Sequence, residues 1–179
     1  MVFKIFTAKN GKEFVIRSIV ASDLSRVKEY TDYMDSVIAE KDYILLKKKV
    51  SLEEEIKFIK KAIIGPEKDS YTFVVECDKK IVGTTTTNKK MGVMDHIAST
   101  GFVIRKEYRS IGIGNEMIKI AIATAKKMKC KILELEVFST NKRAISLYEK
   151  FGFKKVARLP KTIQRRGKLI DEFIMFKEL

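Results

Sequence analysis

The sequence predicts an α/β (α+β) fold with six to seven strands and about four helices. Three stretches carry that expectation. Tyr71–Cys77 and Lys80–Thr87 are strand-like runs separated only by Asp78-Lys79, which reads as an antiparallel hairpin. Ser99–Ile104 leads through a turn holding Gly112 and Gly114 into Met117, Ile118, Ala121, Ile122, Ala125 and Met128, an apolar face at helical spacing. Lys131–Phe138 places Leu133, Leu135 and Val137 on one side of a strand and Glu134 and Glu136 on the other. A helix follows it, with Ala144, Ile145, Tyr148 and Phe151 facing inward.

In chain order, Phe14–Val20 reads as the first strand, and Ser22 as the N-cap of a helix carrying Leu24, Val27, Tyr30 and Met34. The stretch from there to Leu46 has no regular pattern. Ser51-Leu52-Glu53-Glu54 is a capping box, in which hydroxyl and carboxylate each satisfy an end amide. Leu52, Ile56, Ile59 and Ile63 then form a helical stripe that Gly65-Pro66 stops. Ile97–Ile104 is the strand before the glycine turn. Ser139-Thr140-Asn141 opens the helix that Gly152 ends. Beyond Phe153 the pattern gives a strand through Ala157, a loop near Gln164–Lys168 and a last strand over Glu172–Phe176.

The chain has 179 residues, the size of a single domain (1–179) able to bury a sizeable core. A hydrophobic share of 45% beside a charged share of 34% describes a soluble globular protein rather than a disordered one. The formal charge of +14 suits an anionic cofactor, a ribosomal or nucleic-acid partner, or a lysine-rich surface. Basic residues are interleaved with acids and no nucleic-acid motif is recognisable, which argues against nucleic acid as the partner. No segment approaches a membrane span and the N-terminal apolar run is too short for a signal peptide, so a cytoplasmic address is expected. Cys77 and Cys130 read as free buried thiols, and with His96 as the sole histidine no metal-ligand spacing exists.

Strand, glycine turn and helix together make an anion-binding arrangement. The first amides of a helix lack intrahelical partners and sit at the positive end of its dipole, and glycine lets an anion approach them closely. A dinucleotide fingerprint does not fit, because its third glycine would fall on Met117; a Walker loop does not fit either, since no Gly-Lys-Ser/Thr follows. Arg109 stands three residues before Gly112, and Arg-x-x-Gly-x-Gly opening an amphipathic helix resembles the acetyl-CoA pyrophosphate loop of the GNAT superfamily of N-acetyltransferases. Glu136-Val137, Asn141, Ala144, Leu147-Tyr148 and Gly152-Phe153 resemble a second segment of that family, Glu-Val-x-x-x-Asn-x-x-Ala-x-x-Leu-Tyr-x-x-x-Gly-Phe.

The resemblance implies a GNAT-like mixed, mostly antiparallel central sheet and direct transfer of an acetyl group from acetyl-CoA to a primary amine, with no metal. Carried over residue by residue, it implies that the amides of Ser110, Ile111, Gly112, Ile113, Gly114 and Asn115 hold the pyrophosphate with Arg109 alongside. Phe102, Val103 and Ile104 would run beside the pantetheine, Asn141 would bond its arm, Tyr148 would protonate the departing thiolate and Glu136 would accept the amine proton. Tyr30, Tyr33, Tyr43 and the lysines near 47–49 would stand near the acceptor, or be ordinary core and rim residues. Many family members carry a glutamate where this chain has Ser99, which leaves Glu136, His96 or a water chain as the base. Partial burial of Glu136 is expected to raise its pKa. The acceptor stays open among small amines, polyamines and protein N-termini, including a ribosomal protein substrate, and a homodimer is compatible. The alternatives are a CoA-binding regulatory module without turnover and a basic RNA- or ribosome-associated protein.

Overall fold

The computed structural model describes residues 2–179, and the side chains of all of these except Val2 and Lys68. The described residues form eight strands and four α-helices. They are β1 (Val2–Thr7), β2 (Glu13–Ser18), α1 (Val27–Ala39), α2 (Leu52–Ile64), β3 (Ser70–Cys77), β4 (Lys80–Lys89), β5 (Ile97–Ile104), α3 (Ile113–Lys127), β6 (Ile132–Phe138), α4 (Lys142–Lys150), β7 (Lys154–Arg165) and β8 (Lys168–Glu178). Backbone ladders link the strands in the order β1-β2-β3-β4-β5-β6-β8-β7. The sheet is mixed and mostly antiparallel: β5 and β6 run parallel, joined by α3 as such a crossover requires, while β1/β2, β2/β3, β6/β8 and β7/β8 are antiparallel.

The count exceeds the expected six to seven strands because β1 lies at the amino end. Its Phe3 and Ile5 are 50% and 56% exposed, as an edge strand allows, so the run lacks the buried alternation that marks an inner strand. The C-terminal hairpin is also longer than its composition suggests. The sequence pattern ends one strand at Ala157, places a loop near Gln164–Lys168 and starts the last strand at Glu172, yet β7 continues through Pro160 to Arg165 and β8 begins at Lys168, with register shifts between Lys155/Ala157 and Leu159/Ile163. Such bulges are where a strand tolerates proline. Arg166 and Gly167, both at positive φ, close the turn into β8.

The chain divides into two compact units. The first gathers the described residues through Thr86 with Phe102–Met117, and the second gathers Thr87–Gly101 with Ile118–Leu179. In the first unit, Tyr30, Tyr33 and Val37 of α1, Ile59 and Ala62 of α2, and Val74 and Ile81 of the strands form one buried cluster. The start of α1 differs from expectation. A 3-10 turn over Ala21–Arg26 precedes it, and Asp23 rather than Ser22 does the capping, its carboxylate accepting from the Val20 amide at 2.8 Å. The Arg17 guanidinium grips Asp23 at 2.7 and 2.8 Å and Glu76 at 2.8 and 2.9 Å, and Arg26 joins Glu76 and Glu29. Burial opposes ionisation of Asp23 and Glu76, but the arginines outweigh it and hold both below the ordinary carboxylate range.

Helix α2 begins at the capping box foreseen, with the Glu54 amide donating to Ser51 Oγ and the Glu54 carboxylate accepting from the Ser51 amide. Its buried face, however, runs through Glu55, Ile59 and Ala62, and Leu52 is 51% exposed. In the second unit, Leu133, Leu135 and Val137 of β6 are buried with Met175 of β8 and Ile145, Tyr148 and Phe153. Cys77 and Cys130 are buried thiols, neither in a disulfide. No helix among the described residues is long and apolar enough to cross a membrane.

Candidate functional site

In the first unit the end of β5 and the turn after it are held from several sides. Phe102, Val103 and Ile104 are half-buried. The Tyr33 hydroxyl donates to the Val103 carbonyl at 3.0 Å and lies 3.1 Å from Thr84 Oγ1. Arg109 Nε donates to the Ile104 carbonyl at 2.8 Å, and its Nη1 lies 2.6 Å from Glu40 Oε2. The guanidinium expected beside a pyrophosphate is therefore also an ion-pair partner of the residue that follows α1.

The turn itself takes an uncommon backbone path. Ser110 has φ +66° and Gly112 φ +109°. A β-carbon at Gly112 would meet nothing within 4 Å, so its glycine answers to the backbone conformation and to whatever approaches from outside, not to crowding within the protein. The Ile111 carbonyl accepts from the Lys9 amide, which ties the turn to the loop after β1. The Gly112 carbonyl accepts from Asn115 at 3.0 Å and Glu116 at 3.4 Å, starting the helical ladder. The Asn115 amide is thus engaged inside α3, and the amides nearer the tip, at Gly112, Ile113 and Gly114, are those a helix start presents to an anion. Ile113, 1% exposed, anchors that start in the core.

Two tyrosines considered for an acceptor wall, Tyr30 and Tyr33, are fully buried, whereas Tyr43 is 44% exposed. Burial pushes the Tyr33 phenol well above its ordinary range. Sequence reasoning passed over Glu55, which is only 3% exposed, and burial pushes its carboxyl up to about 7. The signal for it was present in the sequence, since Glu55, Ile59 and Ala62 repeat at helical spacing.

In the second unit, β6 carries the candidate base. Glu136 is exposed, which corrects the expectation of partial burial. Two residues earlier, both oxygens of Glu134 accept from Lys90 Nζ at 2.8 Å. Glu134 stands in parallel register with Ser99 of β5, the position where many family members have a glutamate. His96 is exposed at the entry to β5, where its carbonyl accepts from the Lys131 and Ile132 amides. Asn141 caps α4, with Oδ1 accepting from the Ala144 amide at 3.2 Å; the other end of its carboxamide is a donor. Tyr148 is 9% exposed with its ring 5.9 Å from that of Phe153, and burial raises its phenol, so the hydroxyl carries its proton at neutral pH. Glu172 of β8, also 9% exposed and also passed over, is pushed up by burial and by the charge of Glu136.

Comparison with known proteins bears directly on this arrangement. The model of the acetyltransferase (GNAT) family matches residues 31–153, which takes in the glycine turn and the β6–α4 segment. N-alpha-acetyltransferase 30 of Dictyostelium discoideum is 34% identical over 88 residues, covering 49% of this chain and 48% of the relative. The N-alpha-acetyltransferase of Sulfurisphaera tokodaii is 26% identical over 161 residues, covering 83% of this chain and 85% of the relative. The chain spans about half or less of the length of several curated relatives it matches. Among solved structures, the acetyltransferase of GNAT family from Streptococcus pneumoniae superposes with a TM-score of 0.81 at 24% identity, covering 93% of this chain and 99% of that one, a likeness of fold. Because the family match contains both motifs and the strand order carries the same fold, this chain belongs to the acetyltransferase (GNAT) family.

Proposed function

We propose that the protein is an acetyl-CoA-dependent N-acetyltransferase acting by direct transfer on a primary amine, and that the α-amine of a peptide or protein is the acceptor. The observation that carries the first part is the Gly112 turn: positive φ, open space where a side chain would stand, and the first amides of α3 behind it. Pyrophosphate is the group that such a helix start suits. The second part is supported by two relatives that are N-alpha-acetyltransferases. Residues 1–179 would then serve as a single acetyltransferase domain, at a cytoplasmic address.

Acetyl-CoA supplies the acetyl group as a thioester. In this reading the amides of Gly112, Ile113 and Gly114 bind the pyrophosphate, and Ser110, Ile111, Asn115 and Arg109 shape the turn around it. Phe102, Val103 and Ile104 line the pantetheine, and the carboxamide donor of Asn141 orients its arm. Glu136 accepts a proton from the acceptor's ammonium, giving the free amine whose nitrogen forms the new C–N bond. Tyr148 donates its phenolic proton to the sulfur as the C–S bond breaks, and the second proton that the nitrogen sheds on becoming an amide passes through solvent to restore the phenol. Burial suits that role, because it keeps the proton on Tyr148 until a thiolate demands it.

Calorimetry with acetyl-CoA tests the reading. At 100-fold excess over Kd, binding to the native state alone stabilises by about 2.7 kcal/mol, which for a chain of this size raises Tm by roughly 5–10 °C. Gly114→Glu places bulk and negative charge at the helix start and should remove both heat and shift. A wild-type protein that binds no acetyl-CoA refutes the proposal.

A further inference from the structure

Strand β8 lies between β6 and β7, and its register pairs Glu136 with Ile174 and Phe138 with Glu172. Residues opposite one another share a sheet face, and residues two apart on a strand share it as well. Glu136 and Glu172 are therefore diagonal neighbours on one face, about 7 Å apart between backbone positions and within reach of long side chains. Glu172 is 9% exposed, flanked in register by Phe138 of β6 and Leu159 of β7.

The basic side chains of the neighbouring strands bind other partners. Lys90 is held by both oxygens of Glu134. Arg158 bonds Asp171, the neighbour of Glu172 that points to the opposite face, and the Lys161 amide donates to the same carboxylate. Lys155 pairs with Glu149 and lies over the Phe173 ring, again on the opposite face. Among the described residues of a chain with 37 lysines and arginines, none forms an ion pair with Glu172 or Glu136. Two carboxylates on one face, one of them on a 9%-exposed residue and neither in an ion pair among the described residues, repel one another unless a proton or a cation joins them.

We propose that Glu136 and Glu172 form the anionic seat for the acceptor's primary ammonium, with Glu172 holding the positive charge and Glu136 taking the proton. The inference rests on the acetyltransferase reading and deepens it, assigning the acceptor site to one face of the β6–β8 ladder. Glu172 makes and breaks no covalent bond. It keeps an ammonium beside the base until the proton moves, after which the neutral amine is free to attack. The seat selects acceptors that arrive as cations, such as a peptide α-ammonium, over uncharged amines and hydroxyl compounds.

Two measurements on the full chain test it. Calorimetry first establishes acetyl-CoA binding to wild type, E172Q and E172D; absence of binding to wild type overturns the acetyltransferase reading and this inference with it. With binding present, transfer is followed by mass spectrometry on a panel of alanine peptides with free N-termini, their N-formyl counterparts, spermidine and aniline. The expected result is acetylation of a free-N-terminal peptide. E172Q should raise KM for it at least tenfold, with kcat changed less and acetyl-CoA affinity within twofold, and E172D should recover part of the loss. Thermal melts confirm that the variants fold, and E136Q should instead lower kcat. The seat is overturned if E172Q leaves the acceptor KM within twofold of wild type, if E172D and E172Q are equally impaired, or if acetyl-CoA-binding wild type acetylates none of the cationic acceptors.

Discussion

Glu55 is the most testable energetic feature of the fold. It sits one turn into α2 on the face that also buries Ile59 and Ala62, and it is 3% exposed. Burial alone pushes its carboxyl from 4.5 up to about 7. A tenfold change in proton affinity corresponds to about 1.4 kcal/mol, so ionising Glu55 in the folded protein costs on the order of 3 kcal/mol relative to the unfolded chain. The sign follows from proton binding. Between pH 4.5 and 7 the folded state holds this proton more tightly than the unfolded state, so the contribution of Glu55 is most favourable below about pH 4.5 and is lost as pH rises through about 7. Glu55→Gln keeps the shape and removes the charge. It should stabilise the protein by up to about 3 kcal/mol at pH 8, roughly 6–12 °C in Tm for a chain of this size, and by almost nothing near pH 4.5. Urea unfolding of both proteins at pH 4.5, 6 and 8 provides the assay, with the midpoint read at constant m. A variant equally destabilised at every pH, or a stability difference that does not change with pH, would refute the reasoning.

Tyr148→Phe should lower kcat by roughly 100-fold or more, the usual contribution of a positioned acid, while the acetyl-CoA affinity measured by calorimetry stays within twofold. Asp23→Asn leaves Arg17 and the Val20 amide facing a neutral group at a 1%-exposed position, and should cost about 3–5 kcal/mol in urea unfolding at pH 7. Asp23 has a depressed pKa in the folded state, so its stabilisation is present above the unfolded value of 3.8 and is lost as pH falls through the folded one. The penalty of Asp23→Asn should shrink accordingly on acidification below about pH 4.

Local chemistry made several elements legible in the sequence. The capping box at Ser51 and Glu54, the Asn141 cap and the glycine turn each rest on interactions within a few residues, and each forms where the residue types place it. Features set by distant parts of the chain were not legible. Ser22 has the chemistry of a cap, but Asp23 takes the role because Arg17, on β2, draws its carboxylate inward. The stripe Leu52, Ile56, Ile59 and Ile63 fits a helix as well as Glu55, Ile59 and Ala62 does; which one faces inward depends on what α2 packs against. Strand β1 carries apolar residues on both faces because it is an edge, and β7 runs through Pro160 because β8 supplies a partner with room for bulges. Glu172 was invisible as a partner of Glu136, since their proximity exists only when β8 pairs with β6.

The serine at position 99 looks, from sequence, like a missing base, and partnership in the structure gives it a different meaning. Directly beside Ser99 in the parallel ladder is Glu134, so the β5–β6 surface has a carboxylate at this level, but Lys90 binds both of its oxygens. Both Glu134 oxygens are thereby engaged by the Lys90 ammonium at 2.8 Å. One step along the same face, Glu136 is exposed, forms no ion pair among the described residues, and has Glu172 as its diagonal neighbour in the ladder. The two glutamates of β6 therefore differ despite their shared strand and alternation: Glu134 joins Lys90 as an ion pair, and Glu136 is the one the proposed mechanism uses as base. With the residue facing Ser99 paired to Lys90, the proposed mechanism puts proton acceptance two residues toward the end of β6, at the position from which the chain enters the Asn141 cap.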